Sequence, residues 1–146
     1  MSSEARDLSA AAVLGVGGGL RSFATPVALA VYGLGPLAGP ARFIAFGAGL
    51  GELIADKHPR MPSRFSPRGL SLRLGFSSVG GRELAGWPGA GVAAGAALAS
   101  AFAGSRLRVM VRGRQAQLAS AAFEDALSYA LTFSAMRIAG TRRPGA

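Results

Sequence analysis

The chain contains no cysteine, so no disulfide can form and a thiolate zinc site is excluded. It has one histidine, His58, which rules out a histidine-rich metal centre and any site needing two imidazoles. Acids are scarce, seven against sixteen bases, and lysine is nearly absent, since Lys57 is the one base that is not arginine. A net charge of +9 first points to nucleic acid or an acidic membrane surface. Nucleic-acid modules, however, set their basic charge in a polar chain with exposed aromatics. Here half the residues are hydrophobic, 16% are charged and the mean hydropathy is +0.35. No nucleic-acid partner is expected, and 146 residues make one domain.

What the chain has in place of evenly spread charge is long intervals with none. Residues 8–20, 22–41, 84–105 and 126–136 give 13, 20, 22 and 11 uncharged residues in a row. One bilayer-spanning helix needs about 20 predominantly apolar residues, and a surface helix of a soluble domain shows a polar stripe at every turn. The 84–105 stretch has no such stripe. The expected fold is therefore all-α: a single integral membrane bundle of about five short, Gly/Ala-rich helices.

The spans are expected near 8–32, 41–56, 69–81 (short), 84–105 and 115–139. Gly17-Gly18-Gly19, Arg21 and Thr25-Pro26 predict a kinked or broken first helix. Gly33 to Pro40 reads as a turn, and His58-Pro59 stops the second helix. Residues 57–68 and 106–114 are basic loops, and 140–146 is a flexible tail. Glu4 and Asp7 offset Arg6, so the first apolar segment is expected to be retained, not cleaved as a leader.

Cytoplasmic loops collect arginine and lysine, so both basic loops belong on one side, which requires 69–81 to cross as well as 84–105. Five crossings then put the N-terminus inside and the C-terminus outside. The two outer helix pairs each join a Gly-rich helix to one with two acids, a pattern compatible with an inverted repeat. Gly15/Gly19, Gly47/Gly51 and Gly91/Gly95 each place two glycines on one helix face, which lets backbones approach within the chain or between copies of a homo-oligomer.

A carboxylate inside a bilayer costs about 2.5–3.5 kcal/mol and usually has a partner or a function. Glu52 and Asp56 share a helix face; Glu124 and Asp125 point about 100° apart, so one of the two is expected to face the interior, with Arg21 as the countercharge. These five are the candidates for an ion or proton site, the competing interpretation being a buried ion-pair network that fixes helix packing. Arg64, Arg68, Arg73, Arg106 and Arg108 are candidates for anionic lipid head groups or a phosphate. No Gly-rich phosphate loop, no nucleophile–His–Asp set and no cofactor motif is present, so no enzyme is expected.

Gly19-Leu20-Arg21-Ser22-Phe23 with Pro26, then Gly51-Glu52-Leu53-Ile54-Ala55-Asp56-Lys57, Pro62-Ser63-Arg64, Arg73, the Gly/Ala-rich run 89–104 and Glu124-Asp125-Ala126 occur in an order that resembles one family. It is the family of small bacterial membrane proteins called domain of unknown function 4126, and the resemblance spans most of residues 10–135. It implies a multi-pass protein of the bacterial cytoplasmic membrane, with no assigned activity. Glu52-x-x-x-Asp56-Lys57 also resembles the Glu-x-Gly-Asp-Lys/Arg signature of manganese or calcium–proton exchangers, with a different spacing and without the glycine. Together these features predict a small transporter or channel-like protein, with a non-transporting scaffold or accessory subunit, or a lipid-phosphate-handling protein, as the alternatives.

Overall fold

A computed structural model describes residues 2–55, 66–111 and 113–140, except for the side chains of Ala55 and Arg114. These residues are helical and contain no strand: α1 (Ser3–Leu20), α2 (Ala24–Tyr32), a single 3-10 turn (Gly35–Leu37), α3 (Ala41–Ala55), α4 (Pro67–Met110) and α5 (Arg114–Ile138). Local chemistry sets the starts. Ser2 accepts the Ala5 N–H ahead of α1, and Ser66 accepts the Gly69 N–H with Pro67 in the first turn of α4. Gly33, at φ 64°, closes α2 in the left-handed conformation that a Cβ disfavours.

Two of these elements fold back on themselves. Inside α4, Ala85 and Gly86 leave helical geometry, Gly86 at φ 64°. The chain reverses there, because Gly81 and Gly89 sit backbone against backbone although only eight residues apart. An unbroken helix would hold them about 12 Å apart. α4 is thus a hairpin of two limbs, 67–84 and 87–110, which agrees with the separate 69–81 and 84–105 segments read from the sequence.

The first segment breaks as expected, but it reverses instead of kinking. Arg21-Ser22-Phe23 separates α1 from α2, and Thr25 then lies back over Gly18, with its methyl and the Leu14 side chain both against Gly80. Tyr32 ends in the same apolar cluster as Ala10 and Ala11. α1 and α2 therefore form a second hairpin, which enters the bundle from one end and returns to it.

α1 is the central element. Gly15 meets the Ala93 backbone and Gly19 meets Ala97 and Ser100, so α1 runs parallel to the second limb of α4. Leu14 at Gly80 and Gly18 at Ser77 make it antiparallel to the first limb, and Arg21 at Asp125 with Gly17 at Ser128 and Thr132 make it antiparallel to α5. Three successive glycines thus point about 100° apart and each admits a different neighbour. Gly47, Gly51, Gly91 and Gly95, by contrast, face open space.

Following the directions, the start of α1, the tip of the α4 hairpin and the end of α5 lie at one end of the bundle. The start of α4, the end of its second limb and the start of α5 lie at the other. This corrects the expected topology. Residues 8–32 do not traverse the bundle, so the start of α1 and the end of α5 are on the same side, with Arg6, Arg42, Arg82 and Arg137, while Arg68, Arg106 and Arg108 lie toward the opposite side. Nor do the two helix pairs resemble each other: α3 packs on α2, whereas the second limb and α5 touch sparingly and both rest on α1. The packing gives an inverted repeat no support.

The sides of this bundle are apolar and its centre is small and polar. Phe43, Ile44, Leu50 and Ile54 on α3, Phe102 on α4 and Phe123 on α5 are all more than half exposed. Inside are alanines and glycines with Arg21, Thr25, Arg73, Ser77, Ser128 and Thr132. One described helix, α4, is long and apolar enough to cross a membrane, and its apolar stretch is one-third buried.

A side chain at position 19 would strike the Ala97 carbonyl and the Ser100 hydroxyl, whereas one at 91 would meet nothing. Gly19→Val is expected to cost at least about 1–3 kcal/mol, because backbone is the obstacle, and Gly91→Val close to nothing. Thermal melting of the two variants in the same detergent checks the contrast.

Candidate functional site at the hairpin turn

The α1–α2 turn lies near mid-height. Ser100 and Asp125, its neighbours on α4 and α5, are ten and eleven residues from the ends of their helices, or about 15–17 Å at 1.5 Å per residue. A backbone reversal at that depth leaves polar groups that water does not reach, and each unsatisfied group costs about 1–3 kcal/mol. The chain answers with a carboxylate. Glu52, on α3, accepts the Ser22 N–H on one oxygen and the Phe23 N–H on the other, each at 3.0 Å. Its negative charge also lies at the positive end of α2. On the other side of the turn, the Ser128 hydroxyl donates to the Gly17 carbonyl at 2.7 Å.

Arg21 is the residue on which the turn closes. Its side chain is 3% exposed and pairs with Asp125 of α5. A guanidinium keeps its proton inside a protein, so burial here requires a fixed anion. Tyr129, one turn beyond Asp125, brings its hydroxyl to the same place. A Cβ on Gly49 of α3 would lie 3.4 Å from that hydroxyl, 2.8 Å from Val27 and 3.8 Å from Phe23. Phe23 also stacks at a tilt on Phe76, with centroids 5.3 Å apart, and so closes the turn against the first limb of α4.

Of the acids read from the sequence, Glu52 and Asp125 therefore meet Arg21 and its turn. Glu124 does not: it points away from them and takes the Arg108 Nε–H on its two oxygens at 3.2 and 3.0 Å, with Nη2 at 2.9 Å. That fork ties the end of the second limb to α5. Asp56 lies outside the described residues, as do Arg64 and His58. Arg68 is exposed and Arg106 covers the face of Phe102, its guanidinium carbon 5.0 Å from the ring centre. Arg73 is buried, so it does not join Arg68 as a surface phosphate chelate.

Sequence reasoning did not single out Tyr129, Thr25, Ser77 or Ser128. Tyr129 was findable as the residue four after Asp125, and Ser77 as the residue four after Arg73. The Thr25 and Ser77 hydroxyls are fully buried over Gly18, and neither makes a hydrogen bond. Among the described residues no three His, Cys, Asp or Glu side chains cluster to hold a metal ion. Glu52 spends both oxygens on N–H groups and Asp125 faces a guanidinium, so each carboxylate already has protein partners.

No family model, no curated protein and no solved structure matches the chain.

Removing Asp125 would leave Arg21 buried without this anion. Asp125→Ala is expected to destabilise by about 3–5 kcal/mol, and the double variant Arg21→Met/Asp125→Leu to recover most of that. Glu52→Gln keeps one acceptor oxygen and is expected to cost less than Glu52→Ala. Unfolding of the four proteins in one detergent decides both comparisons.

Proposed function

We propose that the chain is a small multi-pass protein of the bacterial cytoplasmic membrane that conducts or exchanges protons through the site at the α1–α2 turn. The observation that carries this is a helical hairpin that turns at mid-height, with Arg21, Glu52 and Asp125 at its tip. Non-helical backbone at membrane depth is tolerated where protein or a polar cavity surrounds it. Broken helices with charged groups at the break are how transporters build ion sites, and ionisable groups at such depth are costly unless used.

Membrane embedding is supported by the outward-facing apolar side chains of α3, α4 and α5 around an interior of glycine, alanine, hydroxyls and charge. A soluble domain partitions these the other way. The end that carries Arg68 and Arg106 would face the cytoplasm, with both against anionic head groups. Both chain ends would then lie outside. The resemblance to the domain of unknown function 4126 family agrees with this location. Gly47/Gly51 and Gly91/Gly95 are the faces open to a second copy in a homo-oligomer.

The alternative is a non-transporting scaffold, in which the same charges only hold helices together. It is favoured by the direct partners of Glu52 and Asp125.

Proteoliposomes with a trapped pH dye separate the two. Transport predicts a proton leak or exchange that falls at least tenfold in Asp125→Asn and Glu52→Gln while both variants stay folded. Equal flux in all three proteins, or none in the wild type, rejects it.

Embedding has its own check, made clean by the absence of native cysteine. Ile44→Cys and Phe123→Cys are expected to resist a membrane-impermeant maleimide in intact membranes, and Arg106→Cys to react only from the cytoplasmic side. Ready labelling of positions 44 and 123 would place the helices in water.

A further inference from the structure

Exposed aromatic rings covered by arginines recur at both ends of the bundle. At the tip of the α4 hairpin the Arg82 guanidinium lies over the Trp87 ring, its carbon 4.5 Å from the ring centre. At the start of α3 Arg42 covers Phe43 at 5.0 Å, and at the opposite end Arg106 covers Phe102 at 5.0 Å. All three arginines are exposed, and none of them pairs with a carboxylate among the described residues. Glu83, next in sequence to Arg82, reaches instead toward Gly35, where a Cβ would lie 2.9 Å from its carboxyl carbon. Trp87 is 73% exposed, whereas a tryptophan of a soluble protein is ordinarily well covered.

The spacing of these pairs says what they meet. Trp87 and Arg106 are nineteen residues apart on the second limb of α4, about 28 Å at 1.5 Å per residue. The stretch between them carries no charge. The hydrocarbon core of a bilayer is about 30 Å thick. The pairs therefore match its two boundaries, where a ring can be half wet and lipid phosphates supply the anions. A guanidinium laid flat on a ring presents its N–H groups at its edge, in the fork that fits two oxygens of a phosphate. The backbone sets the Arg82 pair in place, because the reversal at Gly86 brings Trp87 back beneath an arginine five residues earlier.

We infer that Arg82 and Trp87 form a lipid-phosphate site at the tip of the α4 hairpin, which holds an anionic phospholipid in the leaflet on that side. The ring lies at the head of the acyl chains, and the guanidinium on it forks onto the phosphate. The inference rests on the membrane embedding proposed above and is independent of proton movement. It adds a lipid contact at the boundary opposite to Arg68 and Arg106.

Trp87 is the one tryptophan of the chain, so its fluorescence reports this place alone. The full chain is placed in vesicles of equal parts phosphatidylcholine and phosphatidylglycerol, with bromine on the upper acyl chain of one lipid or the other. One arginine near the surface favours an anionic lipid about fivefold, so brominated phosphatidylglycerol should quench Trp87 at least about twofold more strongly. Arg82→Gln should make the two lipids equal, while Arg106→Gln, at the far boundary, should keep the preference. Equal quenching in the wild type, or a preference that survives in Arg82→Gln, overturns the site and leaves the embedding standing. Loss of the preference in Arg106→Gln as well overturns it too, since overall charge would then be the cause. A ring that neither lipid quenches overturns both the site and the embedding.

Discussion

The bundle depends on two hydrogen bonds. Ser22 and Phe23 present their N–H groups at mid-height, in a turn that neither α1 nor α2 satisfies, and the Glu52 carboxylate takes both. Without an acceptor there, the hairpin could not turn inside the bundle and Arg21 could not be brought against Asp125. The same bond fixes α3, whose buried residues otherwise include only small side chains such as Ala45 and Gly49. One carboxylate therefore sets the depth of the turn, the position of α3 and the charge balance around Arg21.

Glycine makes the rest possible. α1 has helices on three sides; Gly15, Gly17 and Gly19 bring neighbouring backbones into contact with it, and Gly18 admits the Ser77 and Thr25 side chains. At such spacing, dispersion between backbones and bonds such as Ser128 to the Gly17 carbonyl replace the large interdigitating side chains of a soluble core. The bulky residues are left for the outside. This explains how a chain that is half hydrophobic buries so few large side chains, with Leu14, Leu29 and Met136 the largest that are fully enclosed.

Much of this was legible in the chain. The charge-free interval 84–105 fell on the second limb of α4, whereas α3 and the first limb, which carry charge, did not stand out by that measure. Gly17 to Gly19, Arg21 and Pro26 marked the break in the first segment. Its sense was not legible, because breakers say where a helix stops and not where the next one points; Thr25 over Gly18 is a tertiary contact. The offset of about 100° gave Glu124 and Asp125 different partners, but both are largely buried where one was expected to be, and nothing local assigned Arg108 to Glu124, sixteen residues away. Glu52 was singled out by its charge, but its part as acceptor for the Ser22 and Phe23 N–H groups was not legible, because backbone donors carry no sequence signal.

The packing also bears on what could pass. Gly15, Gly17 and Gly19 touch two other segments, the second limb of α4 and α5, at backbone distance, so a path along α1 between them has no width for a hydrated ion or an organic solute unless whole helices separate. For the proton site proposed above width is no obstacle, because a proton moves by exchange between neighbouring groups. From the turn toward the chain-end side run Thr25, Ser77, Ser128 and Thr132, all fully buried. Toward the arginine side lie Asp125 and, one residue away on another face, the Glu124–Arg108 fork. Small residues and buried hydroxyls thus close around a single charged turn.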